Sequence, residues 1–222
     1  MEARDTYNDA YVDPETFVPS RRTHTRISPV KNLATLDKDS YVLFEEVCLH
    51  WPIQVGWPAG LLKQRFEQLF HERLHPRCFR ASSIETVPGV QVGIVTGYEL
   101  IPAHLGRLFD EALVSRIEAL GGHRISYVED LLIHPKFRGF GLERALLEAM
   151  TEEFRALGIS ITITRAPKHA CEPRNDMMLV RSSQEAGNPY RAVCEQEGFR
   201  ELGDFKKNLG WQGQAVLLAK AI

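Results

Sequence analysis

The residues best placed to do chemistry lie in one run, Glu129-Asp130-Leu131-Leu132-Ile133-His134-Pro135-Lys136-Phe137-Arg138-Gly139-Phe140-Gly141-Leu142. Its end, Arg138-Gly139-Phe140-Gly141, precedes an amphipathic repeat and so falls where a helix should begin. First-turn amides have no partner within a helix, and the positive end of its dipole lies there. That combination binds phosphate. Glycines let the backbone approach an anion with no Cβ in the way, and the Arg138 guanidinium adds a planar cation. The start of the run offers a general base, Glu129 or Asp130. Neighbours along a strand point to opposite faces, so only one of the two can face a cleft beside it. The pattern is neither a P-loop, which needs Gly-Lys-Ser/Thr, nor the three-glycine fingerprint of dinucleotide folds.

These residues need elements to hold them. Residues 124–133 read as a buried strand. Residues 141–157 read as a helix with Leu142, Leu146, Ala149, Met150, Phe154 and Leu157 on one face and Gly158 at its C-terminal cap. Upstream, helix spacing covers 41–48 and 60–74, with Pro76 blocking continuation of the second. Strand patterns cover 21–27, 78–85 and 91–98, the last two joined by a turn at Pro88-Gly89, and a helix covers 103–120. Downstream come a strand at 159–164 and a long polar connection at 165–187 with a short helix at 177–182. A helix at 189–197 and strands at 199–205 and 214–220 complete the chain. The order mixes antiparallel hairpins with one strand-helix-strand unit, an α/β arrangement. Residues 1–20 are polar and read as a mobile arm before a single domain spanning 21–222.

The chain has 222 residues, 44% hydrophobic and 25% charged, with a net charge of −2. That composition is globular, and no basic excess points to nucleic acid. Cys48, Cys78, Cys171 and Cys194 form no Cys-x-x-Cys pair, and the eight histidines are scattered. No metal site is expected. The N-terminus has no apolar signal region, and no run is long enough to span a membrane. The expectation is a soluble, cytoplasmic protein.

The run from Val128 to Leu147 resembles the acetyl-CoA-binding motif of the GNAT superfamily, [RQ]-x-x-G-x-[GA]. Arg138 and Gly141 fill the first two slots, and Glu143 stands where the family has glycine or alanine. Glu129 to Gly141 also resembles diamine and polyamine acetyltransferases. A second stretch, Asn188 to Phe199, is similar to the family's N-x-x-A-x-x-x-Y-x-x-x-G-F helix, with Cys194 in the tyrosine slot. The resemblance covers about residues 21–222, with insertions near 101–123 and 165–187. It implies a mixed, mostly antiparallel sheet of six or seven strands flanked by helices, with a strand pair splayed at the cofactor cleft.

It further implies acetyl transfer from acetyl-CoA to a primary amine in a ternary complex. Backbone groups of Leu131, Leu132 and Ile133 would pair with the pantetheine arm. Arg138, Gly139, Phe140, Gly141 and Leu142 would hold the pyrophosphate, with Glu143 at its edge and Asn188 as a further contact. Glu129 is the first candidate base and Asp130 the alternative. Tyr190, one helical turn before Cys194, is placed to substitute for the missing tyrosine acid, with Cys194 or water as alternatives. A carboxylate about 4 Å from a phosphate costs on the order of 1–4 kcal/mol, so Glu143 should weaken cofactor binding unless it swings away or Arg144 compensates. An aromatic wall of Phe44, Trp51 and Trp57 is a candidate acceptor surface. The acceptor favoured is a small-molecule amine. A protein N-terminus or lysine is the alternative within this chemistry, and a non-catalytic acyl-CoA-binding module the alternative outside it. Dimers are common among such relatives, so a homodimer is an open expectation.

Overall fold

A computed structural model of the chain describes residues 25–31, 67–83, 90–133, 137, 139–167, 169–172, 181–187, 189–205 and 215–222. Seven strands form one sheet in the order β1 (Thr25–Pro29), β2 (Leu74–Ser83), β3 (Val90–Leu100), β4 (Ile125–Ile133), β5 (Ile161–Pro167), β9 (Ala215–Ala221), β8 (Arg200–Phe205). Every neighbouring pair is antiparallel except β4 with β5, which is parallel. Parallel neighbours need a crossover, and α3 (Leu142–Ala156) supplies it. Two strands, β6 (His169–Glu172) and β7 (Arg181–Gly187), pair separately.

Side chains alternate across the sheet into two cores. One face carries Tyr98, Tyr127, Ile163 and Leu217 against the helices α1 (Leu105–Leu108) and α2 (Glu111–Ala119). The other carries Val95, Val128, Val216 and Leu218 against α3, with Cys194 and Tyr190 of α4 (Pro189–Gln196). Of the apolar face read for α3 in the sequence, Leu142, Leu146, Met150 and Phe154 are buried. Gly141 opens the helix at φ 81° and Gly158 follows it at φ 75°.

Several elements differ from the sequence pattern. The helix expected over 103–120 is broken, because Asp110 caps a new start by accepting the Leu113 amide at 3.0 Å. Ahead of the break, residues 102–104 form a 3-10 turn leading into α1. The helix expected over 60–74 is described only at 67–72, and Leu74 already belongs to β2. Pro76 does more than stop that helix. It lies inside β2 at a register shift between Leu74 and Arg77, where a residue with no N–H is tolerated. The connection expected over 165–187 instead contains the rest of β5, then β6 and β7. The short helix expected at 177–182 is contradicted at Arg181 and Ser182, which are in β7. The expected helix at 41–48 and the aromatics Phe44, Trp51 and Trp57 lie outside the described residues.

The sheet carries one further irregularity. Thr96 faces Asp130 and Gly97 faces Val128, which leaves Glu129 as the extra residue of a β-bulge in β4. The bulge inverts the alternation: Tyr127 and Leu132, five residues apart, enter the same core, as do Val128 and Leu131 on the opposite face. α3 packs closely here. A Cβ on Gly97 would come within 2.8 Å of the Tyr127 carbonyl oxygen and 3.1 Å of the Phe154 ring.

At the opposite end of the sheet, Arg124 reaches both carboxylate oxygens of Glu99, through Nε at 2.7 Å and Nη2 at 2.6 Å, and His75 meets the same carboxylate at 2.6 Å. Arg124 also bonds the Leu157 carbonyl and so ties the C-terminus of α3 to the sheet. The hydrogen bond from Arg124 holds the Glu99 carboxyl below its ordinary value, with the His75 contact adding to it. Among the described residues no helix is long and apolar enough to cross a membrane, and no cluster of His, Cys, Asp and Glu could hold a metal.

Two outcomes follow for stability. Gly97→Ala should cost about 1–3 kcal/mol in denaturant unfolding, because neither the carbonyl nor the packed ring can retreat freely. Glu99 has a depressed pKa when folded, so its stabilisation is complete above the unfolded carboxyl value of about 4.3 and is lost as pH falls through the lower folded value. Glu99→Gln should therefore flatten the acid limb of stability against pH, read by chemical denaturation between pH 3 and 6 on the order of those values.

Candidate active site

The site begins where β4 and β5 part. Their parallel ladder runs from Ile125 opposite Ile161 to Val128 opposite Thr164 and stops there. Both strands continue, β4 to Ile133 and β5 to Pro167. Glu129, the bulged residue, is the first position of β4 past that rung. Beyond it Leu131, Leu132 and Ile133 remain paired with Val95, Ile94 and Gly93 of β3, while their other edge faces the widening gap. Their side chains are buried in the two cores, which leaves main-chain groups to line that edge.

The gap leads to the glycine turn. Gly139 and Gly141 adopt φ of 78° and 81°, in the left-handed region that favours glycine, and among the described residues a Cβ on either would meet nothing within 4 Å. The turn therefore stands open above the N-terminus of α3, and Phe140 between the glycines is exposed. Phe137 is buried in the α3-side core and anchors the approach. One amide of the turn already holds an anion: the Gly139 N–H donates to the Glu143 carboxylate at 3.2 Å. Arg144 does not compensate for that charge. It turns away to pair with Glu197 at 2.6 Å, beyond the end of α4. Arg138 and Asn188, both expected in the site, lie outside the described residues.

At the vertex the side chains form a chain of hydrogen bonds. Thr164, buried, donates its hydroxyl proton to the Val128 carbonyl at 3.1 Å. Tyr190 Oη lies 2.7 Å from Thr164 Oγ1. Thr164 has one proton and spends it on the carbonyl, so the tyrosine is the donor of that second bond. Burial pushes the Tyr190 phenol well above its ordinary value. Cys194, one turn further along α4, adjoins the tyrosine and is fully buried, and burial pushes its thiol up to about 12. Tyr190 thus reaches the vertex, and Cys194 sits behind it in the core.

The opposite face of the cleft has a different character. Asp130 shares this face with Leu132 and accepts a 3.4 Å hydrogen bond from Thr96. Beside it Cys78 is buried, and its thiol is pushed up first by desolvation and further by the Asp130 charge, with Arg80 opposing. Arg165, the first β5 residue past the vertex, lies over the Phe205 ring at 5.8 Å. Phe205 meets Phe109 edge-on, and Phe109 meets Tyr127. Sequence reading missed Thr164, Arg165 and Phe205. The first two were assigned to the end of a strand and the start of a loop, and nothing in their spacing tied them to Tyr190 or to the glycine turn.

No sequence-family model matches the chain, and no curated protein matches it in sequence. Solved structures do match its fold. Mosquito arylalkylamine N-acetyltransferase like 5b superposes with a TM-score of 0.58 at 12% identity, over 89% of this chain and 100% of that one. Arabidopsis thaliana NAA60 in complex with a bisubstrate analogue gives 0.57 at 13% identity, over 90% and 98%, and has also been solved with acetyl-CoA. The Escherichia coli ribosomal-protein alanine N-acetyltransferase gives 0.52 at 13% identity, over 90% and 94%. The chain has the fold of the GNAT acetyltransferases. At these identities the likeness is one of architecture alone, a mostly antiparallel seven-stranded sheet flanked by helices.

The burial of the Cys78 and Cys194 thiols sets an expected outcome. In the native protein at mild alkaline pH, Cys78 and Cys194 should resist iodoacetamide, because the thiolate is the reactive form and burial suppresses it. After denaturation both should be carbamidomethylated, as peptide mass spectrometry will read.

Proposed function

We propose that the protein is an N-acetyltransferase that uses acetyl-CoA to acetylate a primary amine, with a small-molecule amine as the favoured acceptor. The observation that carries this reading is the parting of β4 from β5 at Val128 and Thr164, which opens a cleft ending at a glycine turn and a helix N-terminus. The residues present suit the cofactor. The left-handed glycines suit a turn that receives an anion, and the Gly139 N–H already donates to a carboxylate that stands in for a phosphate oxygen. The main chain of Leu131 to Ile133 offers an extended edge on which the pantetheine arm would lie as an added strand. Arg138 and Asn188 complete the cradle by their place in the sequence motifs.

Acetyl-CoA would supply an acetyl thioester open to attack by an amine, with the coenzyme thiolate as the leaving group. The protein's own residues then have three tasks. Glu129, in the bulge at the vertex, takes the proton that the amine must lose, with Asp130 as the alternative from the opposite face. A main-chain amide near Leu131 or Leu132 steadies the developing oxyanion. Tyr190 carries its proton at neutral pH as any phenol does, and burial pushes its pKa higher still, so it serves as a hydrogen-bond donor to the leaving sulfur, which is finally protonated from solvent. Cys194 is a poor candidate for that task, since its buried thiol belongs to the core behind the tyrosine.

A second reading, a module that binds acyl-CoA without turnover, is favoured by Glu143 alone, whose carboxylate occupies the Gly139 amide. Thiol release separates the two. Acetyl-CoA offered with a panel of polyamines, arylalkylamines, amino-acid amines and peptide N-termini should release free thiol with at least one acceptor. Tight cofactor binding with no release on any of them favours the binding module.

Removing Glu143 should strengthen cofactor binding. Relief of a repulsion on the order of 1–4 kcal/mol predicts at least several-fold tighter acetyl-CoA binding by Glu143→Gly in calorimetric titration. Unchanged affinity would show that the carboxylate swings clear at no cost.

A further inference from the structure

The reading above gives Tyr190 a task but does not say what brings its hydroxyl to the vertex. α4 alone does not fix it, because a phenol can turn about two side-chain torsions. The described contacts name a second residue. Thr164 is the last β5 residue paired to β4, and it is 1% exposed. Its hydroxyl donates to the Val128 carbonyl of the same rung and accepts the Tyr190 proton at 2.7 Å. One side chain therefore bridges β5 to β4 at the point where they part and also ties α4 to that point.

We propose that Thr164 is a positioning residue for the transfer step: its hydroxyl holds the Tyr190 hydroxyl at the vertex of the splayed strands, where the leaving sulfur would lie. This rests on the acetyl-transfer reading for its catalytic consequence, though not for its geometry. The hydroxyl of threonine suits the task for a stated reason. A buried β-branched residue has few rotamers, so the Oγ1 direction is set by the backbone of β5 and does not wander. With its proton engaged by a main-chain carbonyl, Oγ1 offers lone pairs to the tyrosine O–H, and the Tyr190 hydroxyl also bonds the Cys194 thiol one turn along α4. When a better acceptor, a developing thiolate, arrives at the vertex, the tyrosine proton has only to rotate from one acceptor to the other. The phenol ring stays where Thr164 and the core hold it.

The test uses the full-length protein. Thr164→Val keeps shape and removes the hydroxyl, and Thr164→Ser restores the hydroxyl without the methyl. With an acceptor in hand, kcat should fall roughly ten- to hundred-fold in Thr164→Val, with KM for acetyl-CoA nearly unchanged, and Thr164→Ser should recover most of it. In a Tyr190→Phe background Thr164→Val should cost nothing further. A readout independent of turnover is fluorine NMR of protein labelled with 3-fluorotyrosine, with the Tyr190 resonance assigned by its loss in Tyr190→Phe. That resonance should shift or broaden in Thr164→Val and return in Thr164→Ser. If Thr164→Val does not fold, Thr164→Ala is read in the same way. A Tyr190 resonance unmoved by loss of the threonine hydroxyl, or a Thr164→Val enzyme with wild-type kcat, overturns the proposal. Absence of thiol release by the wild type with every amine defeats the acetyl-transfer reading instead, and leaves the NMR result to decide the geometry.

Discussion

The structure depends on a single rung of hydrogen bonding. Val128 and Thr164 are the last residues at which β4 and β5 run as a parallel pair. Below them the sheet is continuous and its two faces are filled. Above them the strands diverge, and main-chain edges that would otherwise be satisfied within the sheet face a cleft. A bulge at Glu129 is a direct means to this end, since an extra residue bends a strand and raises its local twist. The close packing of α3 on Gly97 is the complementary condition. The helix must follow the bent strand, and a side chain on β3 opposite the bulge would hold it off.

The same rung links the two halves of the site. On the α3 side lie the glycine turn, the helix N-terminus and Tyr190. On the α2 side lie Asp130, Arg165 and the aromatic contacts of Phe205, Phe109 and Tyr127. A glycine turn at a helix N-terminus and a mixed polar-aromatic group thus meet at one vertex from opposite faces of the sheet. Far from this point, the Glu99, Arg124 and Leu157 contacts fasten the other end of α3 to the sheet. The crossover helix is thus pinned at its C-terminus while its N-terminus stands at the turn.

Much of this was legible in the residues, and the limits are physical. The strand-turn-helix unit was readable because a buried strand, left-handed glycines and a 3.6-residue apolar stripe are local features with strong signatures. A mixed sheet of six or seven strands followed from the order of patterns and from the family resemblance, and seven are found among the described residues. What was not legible depends on register. Nothing in Val128-Glu129-Asp130 marks Glu129 as an extra residue, because a bulge is defined by the partner strand. The Thr164 hydroxyl looked like one of several β-branched positions in β5, since its two bonds go to residues 36 and 26 positions away. The break at Phe109-Asp110 was missed for another reason. Helix periodicity continues across it, and only the cap at Asp110 reveals a new start. The hairpin of β6 and β7 was hidden by its polar composition, which reads as loop in a single sequence.

The Glu143 carboxylate on the Gly139 amide has a consequence for how the empty protein behaves. Glycines held at positive φ over an unshielded helix N-terminus would otherwise attract whatever small anion the surroundings supply. A tethered carboxylate fills that role at an effective concentration no free solute matches. Any anion that reaches the Gly139 amide has first to displace a carboxylate tethered four residues away.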